Sequence, residues 1–180
     1  MSRDAILEAA FTILVERGYD ALAIEAVAKM SGTGKTTVYR WWSSKAELAA
    51  DAFLHATADE LHLPDTGSAR DDFRCQIIAL SELLRGRRGQ ALAAMLGGAR
   101  TDAALGRALG QRWLEPRRRW GTQRMMRAAA SGQLKPGVDP SAALSVLYGP
   151  LYAPLLFGGA VPDRPAVEAY LDIACAGVFA

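Results

Sequence analysis

Apolar side chains recur three and four residues apart along almost the whole chain, and a strand-like alternation of apolar and polar residues is absent. That spacing belongs to helices, so the 180 residues are predicted to fold all-α. Leu7, Ala10, Phe11 and Leu14 mark a first helix over about 3–17, ending at Gly18. Ile24, Val27 and Ala28 mark a short second helix ending near Ser31-Gly32. Gly34 is the N-cap of a third, with Val38 and Trp42 on its inner face. Ser44-Lys45-Ala46-Glu47 reads as a capping box: the Ser44 hydroxyl accepts from the Glu47 amide while the Glu47 carboxylate reaches back. It opens a fourth helix to about His62.

Pro64-Asp65-Thr66-Gly67 is a loop and the best internal break. Beyond it, Ser68 caps a helix carrying Phe73, Ile77, Leu80 and Leu84, stopped at Gly86. A short helix then ends at Gly97-Gly98. Thr101 is read as the cap of a segment with Leu105, Leu109 and Trp113, which Pro116 kinks or restarts before helix continues to about Ser131. Asp139-Pro140 starts another helix, since proline at the first position gives up only an orphan N–H; it runs to about Phe157. Asp163 opens the last, with Val167, Tyr170, Leu171, Ala174 and Val178 on one face.

The chain is long enough to bury a core without staples. Cys75 and Cys175 stand in no metal-like spacing and read as free thiols in a reducing compartment. The charged helical pattern begins at Arg3, which leaves no room for a signal peptide, so a cytoplasmic protein is expected. Net charge is only +2, and its distribution says more than its size. Residues 1–62 carry six Lys/Arg and nine Asp/Glu, yet no acid lies between Glu25 and Glu47, where Lys29, Lys35, Arg40 and Lys45 fall. A basic patch on an acidic segment is a focused feature.

The second and third helices are each about two turns long and are joined by about three residues around Gly32-Thr33-Gly34. Glycine there permits the positive φ of a tight helix–helix turn. The third helix then turns Lys35, Thr36, Thr37, Tyr39, Arg40 and Trp41 outward. Short donors at its start suit base edges and phosphates, while Tyr39, Arg40 and Lys45 suit the DNA backbone. A solvated polar face is the plainer alternative, but two tryptophans and a tyrosine within four residues argue against it. Gly32-Thr33-Gly34-Lys35-Thr36 also imitates the end of a phosphate-binding P-loop, the mark of a nucleotide-binding enzyme. That motif needs a glycine where Lys29 stands and a buried strand before it, and Val27-Ala28-Lys29-Met30 continues a helix.

Gly18-Tyr19-Asp20, then Ile24-Glu25-Ala26-Val27-Ala28, then the run from Gly34 through Tyr39-Arg40-Trp41-Trp42 to Leu48 resembles the TetR family of bacterial transcriptional regulators. The resemblance covers about residues 3–53. It implies an N-terminal three-helix helix-turn-helix DNA-binding domain (1–45) and a helical ligand-binding and dimerisation domain (46–180). It implies a homodimer, usually a repressor; binding to a double-stranded, pseudo-palindromic operator and release by a small ligand, hydrophobic to judge from the aromatic residues of the C-terminal half, are expected with it. It also implies that Lys35, Thr36, Thr37, Tyr39, Arg40 and Lys45 contact DNA. Three departures stand out. Ala23 replaces the family's usual Ser or Thr, and losing such a cap costs about 1 kcal/mol. Gly34 replaces a frequent Ser. Arg3 alone precedes the first helix as a basic arm for the minor groove.

Leu144 to Pro162 holds no charged residue. A membrane span is one reading, but Gly149, Pro150, Pro154, Gly158 and Gly159 interrupt it and it is barely long enough. A dimer face or pocket wall explains it better, as half of an intermolecular four-helix bundle. Pro150 should kink its helix, which suits a cavity or plain packing alike. Met95, Trp113, Trp120, Tyr148 and Tyr152 are the candidate ligand-binding residues, with the tyrosine hydroxyls as polar handles; ordinary core packing is the alternative. Arg117-Arg118-Arg119, with Arg112, Arg124 and Arg127, predicts a solvated helix face, an anion site or a contact with acidic surface on the partner subunit. No catalytic set appears, and His55 and His62 lack a third ligand. No enzyme activity, metal or cofactor is expected.

Overall fold

The computed structural model describes residues 3–58 and 64–180. The helices are α1 (Arg3–Arg17), α2 (Ile24–Ser31), α3 (Lys35–Trp41), α4 (Lys45–Thr57), α5 (Ala69–Arg85), α6 (Arg87–Gly98), α7 (Ala103–Leu109), α8 (Glu115–Ala130), α9 (Pro140–Phe157) and α10 (Arg164–Val178). A π-turn, Gly110–Leu114, joins α7 to α8. Among the described residues the only β-pairing is a bridge between Leu134 and Phe179. His62, the expected end of α4, lies outside the described residues.

The local signals set the helix ends. The α2–α3 turn closes as a Schellman motif: Gly32, left-handed at φ 67°, donates to the Lys29 carbonyl, and Thr33 donates to that of Ala28. Ala23 and Gly34 cap α2 and α3 without a side chain. Ser44 Oγ accepts from the Glu47 amide, but the Glu47 carboxylate passes over Ser44 and takes both donors of Ser43, the amide at 3.0 Å and the hydroxyl at 2.8 Å. Two donors on one residue outweigh the single N–H of the standard box. The expected cap at Thr101 falls one residue later. Asp102 Oδ1 accepts from the Ala104 and Leu105 amides, and a carboxylate at a helix start also gains from the helix dipole. Pro116 neither ends nor restarts the helix. The wider π-turn before it lets Glu115 donate to the Gly110 carbonyl, and α8 runs on through the proline.

The packing does not divide the chain at residues 45 and 46. One compact unit takes the chain up to residue 59 with residues 86–115, and the other takes residues 60–85 and 116–180. In the first, α4 packs against α1, α6, α7 and the π-turn, and α2 bridges α1 and α3. Small residues on α4 (Ala46, Ala49, Ala52) let its neighbours approach closely, and Phe53 is fully buried edge-on against Trp113. Burying a side chain of that size contributes about 1.5–3 kcal/mol.

In the second unit, α5 packs against α9 and α10, and α9 against α10. Phe73 is its centre, meeting Trp120, Tyr148 and Phe179. The arginine-rich segment is not one solvated face. Arg124 is buried and donates to Asp72 at 2.7 Å, with Asp72 itself fully buried. Arg112 pairs with Asp51 in the first unit. Arg117 is half-buried, and burial brings its guanidinium down to about 10. Arg118, Arg119 and Arg127 are exposed, Arg127 pairing with Asp65. The cysteines are free thiols, Cys75 exposed and Cys175 buried.

Candidate nucleic-acid interface

α3 is anchored from below. Val38 is completely buried, and Trp42 is nearly so. The Trp42 indole donates to Asp51 on α4 at 2.9 Å, and the same carboxylate accepts from Arg3 at 3.0 Å and from Arg112. The end of the helix is thereby tied to three elements. Arg3, though exposed, is engaged on Asp51, with its guanidinium 5.4 Å from the centre of the Trp42 ring, so the residue expected as a basic arm already has a partner within the protein.

Above that base, Lys35, Thr36, Tyr39, Arg40 and Trp41 are exposed, and Thr37 is half-buried. Tyr39 and Trp41 are each 54% exposed and place two aromatic rings on the outer face of α3. Arg40 lies 5.9 Å from the Trp41 ring centre, which pins its guanidinium along the outer surface. Lys35 is held by Glu25 of α2 at 2.8 Å, and that hydrogen bond holds the Glu25 carboxyl below its ordinary range. Lys45, first residue of α4, is half-buried with its ammonium 4.3 Å from the centre of the Tyr19 ring. Five of the six expected DNA contacts thus belong to the two-turn α3 and the sixth to the start of the next helix. Sequence reasoning missed Glu25 and Asp51, whose partners lie across a turn (Lys35, Trp42) or far along the chain (Arg3, Arg112), where helical spacing carries no signal.

The segment before Gly32 is helix, not strand, which removes the resemblance to a nucleotide-binding loop. A short helix, a glycine turn and a second short helix with an exposed basic and aromatic face form a helix-turn-helix. Residues 6–52 match the family model for bacterial regulatory proteins of the tetR family, and residues 63–174 match that for the tetracyclin repressor-like C-terminal domain. The chain belongs to the TetR family of bacterial transcriptional regulators. It is similar to the uncharacterized HTH-type transcriptional regulator YdeS of Bacillus subtilis, 32% identical over 86% of this chain and 78% of that one. It is similar over half its length to the DNA-binding transcriptional repressor TetR of Mycobacteroides abscessus, 42% identical over 49% of this chain and 44% of that protein. The crystal structure of the TetR family transcription regulator SCO0332 superposes with a TM-score of 0.77 at 36% identity, covering 98% of this chain and 97% of that one.

As a TetR-family member the protein is a transcriptional regulator and not an enzyme, and α2–α3 are its DNA-binding helix-turn-helix. The ligand candidates fall in separate units. Met95 and Trp113 are buried in the core of the first. Trp120, Tyr148 and Tyr152 belong to the second, where Trp120 and Tyr148 share Phe73 and the Tyr148 hydroxyl donates to the buried Gln76 at 2.6 Å.

Proposed function

We propose that this TetR-family regulator is a cytoplasmic homodimeric repressor of a pseudo-palindromic operator, released when a small hydrophobic ligand binds its C-terminal helices. The exposed face of α3 carries the reading. Lys35, Thr36, Thr37, Tyr39 and Arg40 supply donors for base edges and phosphates, and Lys45 adds a backbone contact. In a dimer the two α3 helices enter successive major grooves about 34–36 Å apart. Repression finds support in the partial similarity to the DNA-binding transcriptional repressor TetR of Mycobacteroides abscessus.

The uncovered face of α9 and α10 supports the dimer. Phe157 is 88% exposed and Ile173 79%, with Val146 and Leu156 also exposed. Such an apolar patch marks an interaction surface. α9 has the composition of a membrane span, but its 18 residues are barely long enough to cross one. For the ligand, the reading keeps Trp120, Tyr148 and Tyr152, an aromatic set with hydroxyl handles. Met95 and Trp113 would meet a ligand only if the core of their unit opened.

Selection of bound duplexes from a random-sequence pool tests the reading, followed by anisotropy titration of the winner. An inverted repeat is expected, with Lys35→Ala and Tyr39→Ala each weakening binding. Lys35→Ala should reduce the log–log salt slope by about 0.9 for each phosphate no longer neutralised. A pool that yields no enriched repeat sinks the proposal.

A further inference from the structure

Tyr19 follows α1 in the turn to α2, and its ring is almost wholly buried. Three elements of the same compact unit hold it. Gly98 at the end of α6 lies so close that a Cβ there would stand 2.4 Å from the ring's Cδ1, so only glycine admits the ring in this position. The hydroxyl donates to Asp102 Oδ2 at 2.6 Å. Asp102 Oδ1 meanwhile caps α7 through the amides of Ala104 and Leu105, so the carboxylate cannot swing without uncapping that helix. Over the ring stands the Lys45 ammonium, 4.3 Å from its centre. A cation placed over an aromatic face is confined more than one on a free four-carbon stem.

We propose that Tyr19 is a positioning residue for DNA binding: Gly98 and Asp102 fix its ring, and the ring holds the Lys45 ammonium in place for a backbone phosphate. The inference rests on the proposed role of Lys45 in DNA binding. Through this stack the turn from Gly98 to Asp102 fixes where a DNA-facing charge stands. A shift of α6 against α7 would move the ring and release Lys45 from its place, with no change in α3 itself.

The probe is the duplex that the wild-type protein selects from a random pool. Affinity and salt slope are measured for the wild type, Tyr19→Phe, Tyr19→Leu, Lys45→Gln and the Tyr19→Leu/Lys45→Gln double variant. Tyr19→Phe keeps the ring and removes only the oxygen, so it keeps the inference testable should Tyr19→Leu fail to fold. Loss of the ring is expected to weaken binding about two- to fivefold. It should also flatten the salt slope towards that of Lys45→Gln, which falls by about 0.9 for one phosphate left without its cation. Loss of the oxygen alone acts in the same direction and less. In the Lys45→Gln background the Tyr19 change should have almost no further effect, the signature of two residues acting through one contact. Equal losses in both backgrounds, or an unchanged salt slope in the Tyr19 variants, overturn the positioning role while leaving DNA binding intact. Failure of the wild type to select any duplex overturns the DNA-binding reading itself and this inference with it.

Discussion

Arg124→Met is the sharpest probe of the second unit. In the native protein Arg124 Nε donates to Asp72 Oδ2 at 2.7 Å, and side-chain exposures of 3% and 0% leave neither charge to water. Asp72 Oδ1 also accepts from the Thr66 amide at 3.0 Å and its hydroxyl at 2.7 Å, which ties the loop after residue 63 to α5. Burial alone would push the Asp72 carboxyl up. The Thr66 donors and Arg124 overcome that, and it lies below its ordinary value. Methionine matches the length of the arginine stem but leaves the carboxylate buried with only the Thr66 donors. Removing one partner of a buried pair costs about 3–5 kcal/mol, which lowers the melting temperature of a chain this size by about 6–20 °C. The native pair stabilises above the ordinary carboxylate pKa and loses that contribution as pH falls through the lowered one. Without the guanidinium, Asp72 gains most by taking up a proton, so the gap between variant and wild type narrows in acid. Adding Asp72→Asn to the variant removes the stranded charge and should recover part of the loss at neutral pH. Scanning calorimetry at neutral pH and at about pH 4.5, near the ordinary carboxylate range, reads all of this. A variant that melts within about 2 °C of wild type, or one whose deficit is the same at both pH values, refutes the argument.

Three further outcomes are expected. Glu25→Gln frees Lys35 from its acidic partner and removes an anion from beside the DNA. The selected duplex should bind more tightly in low salt, with the gain fading as salt rises, and an unchanged titration contradicts this. Ile173→Asp places a charge on the uncovered face of α10, so sedimentation should show half the wild-type mass with an unchanged helical spectrum; a variant that still sediments as a dimer rules that face out. Ser43 holds the Glu47 carboxyl, and Tyr19 that of Asp102, below their ordinary values. Their stabilisation is complete above the ordinary carboxylate pKa and is lost as pH falls through the lowered ones. Glu47→Gln should therefore flatten the acid limb of the melting profile, and an identical limb argues against it.

What could be read from the sequence was what neighbours within a few residues decide. Val38 and Trp42 are four apart and share the buried side of α3. Gly32 sits where a left-handed residue is needed, and Ser44 stands three residues before Glu47. The cap displaced from Thr101 to Asp102 shows the limit of that reading, since adjacent short acceptors look alike until the backbone chooses between them. The arginines failed for a different reason. Arg124 finds its carboxylate 52 residues away, and Arg112 finds Asp51 at a separation of 61. Helical periodicity places a charge on a face but does not say which helix covers that face. The compact units escaped for the same cause, because α6 and α7 come after α5 in sequence yet pack against α1 and α4. The exposed face of α3 was legible in outline, but the engagement of Lys35 by Glu25, of Lys45 by Tyr19 and of Arg3 by Asp51 was not.

These engagements bear on how a lightly charged head can bind DNA at all. An arginine or lysine that must first be ordered loses rotamer freedom worth up to about 2 kcal/mol, and a head with few cations cannot afford that loss at each contact. Arg40 is laid along Trp41, and Lys45 on Tyr19. In both cases the ring orders the side chain in the free protein. α4 is the element on which the rest converges. Lys45 stands at its start, Asp51 in its middle holds the Trp42 indole beneath α3, and Phe53 further along meets Trp113 of the π-turn. Asp51 and Phe53 are two residues apart, so the π-turn grips α4 from two sides, by Arg112 on the carboxylate and by Trp113 on the ring. A helix of thirteen residues is stiff over its length of about 20 Å. A change in the π-turn therefore cannot move one of these contacts alone. It shifts the support of α3 and the position of Lys45 together.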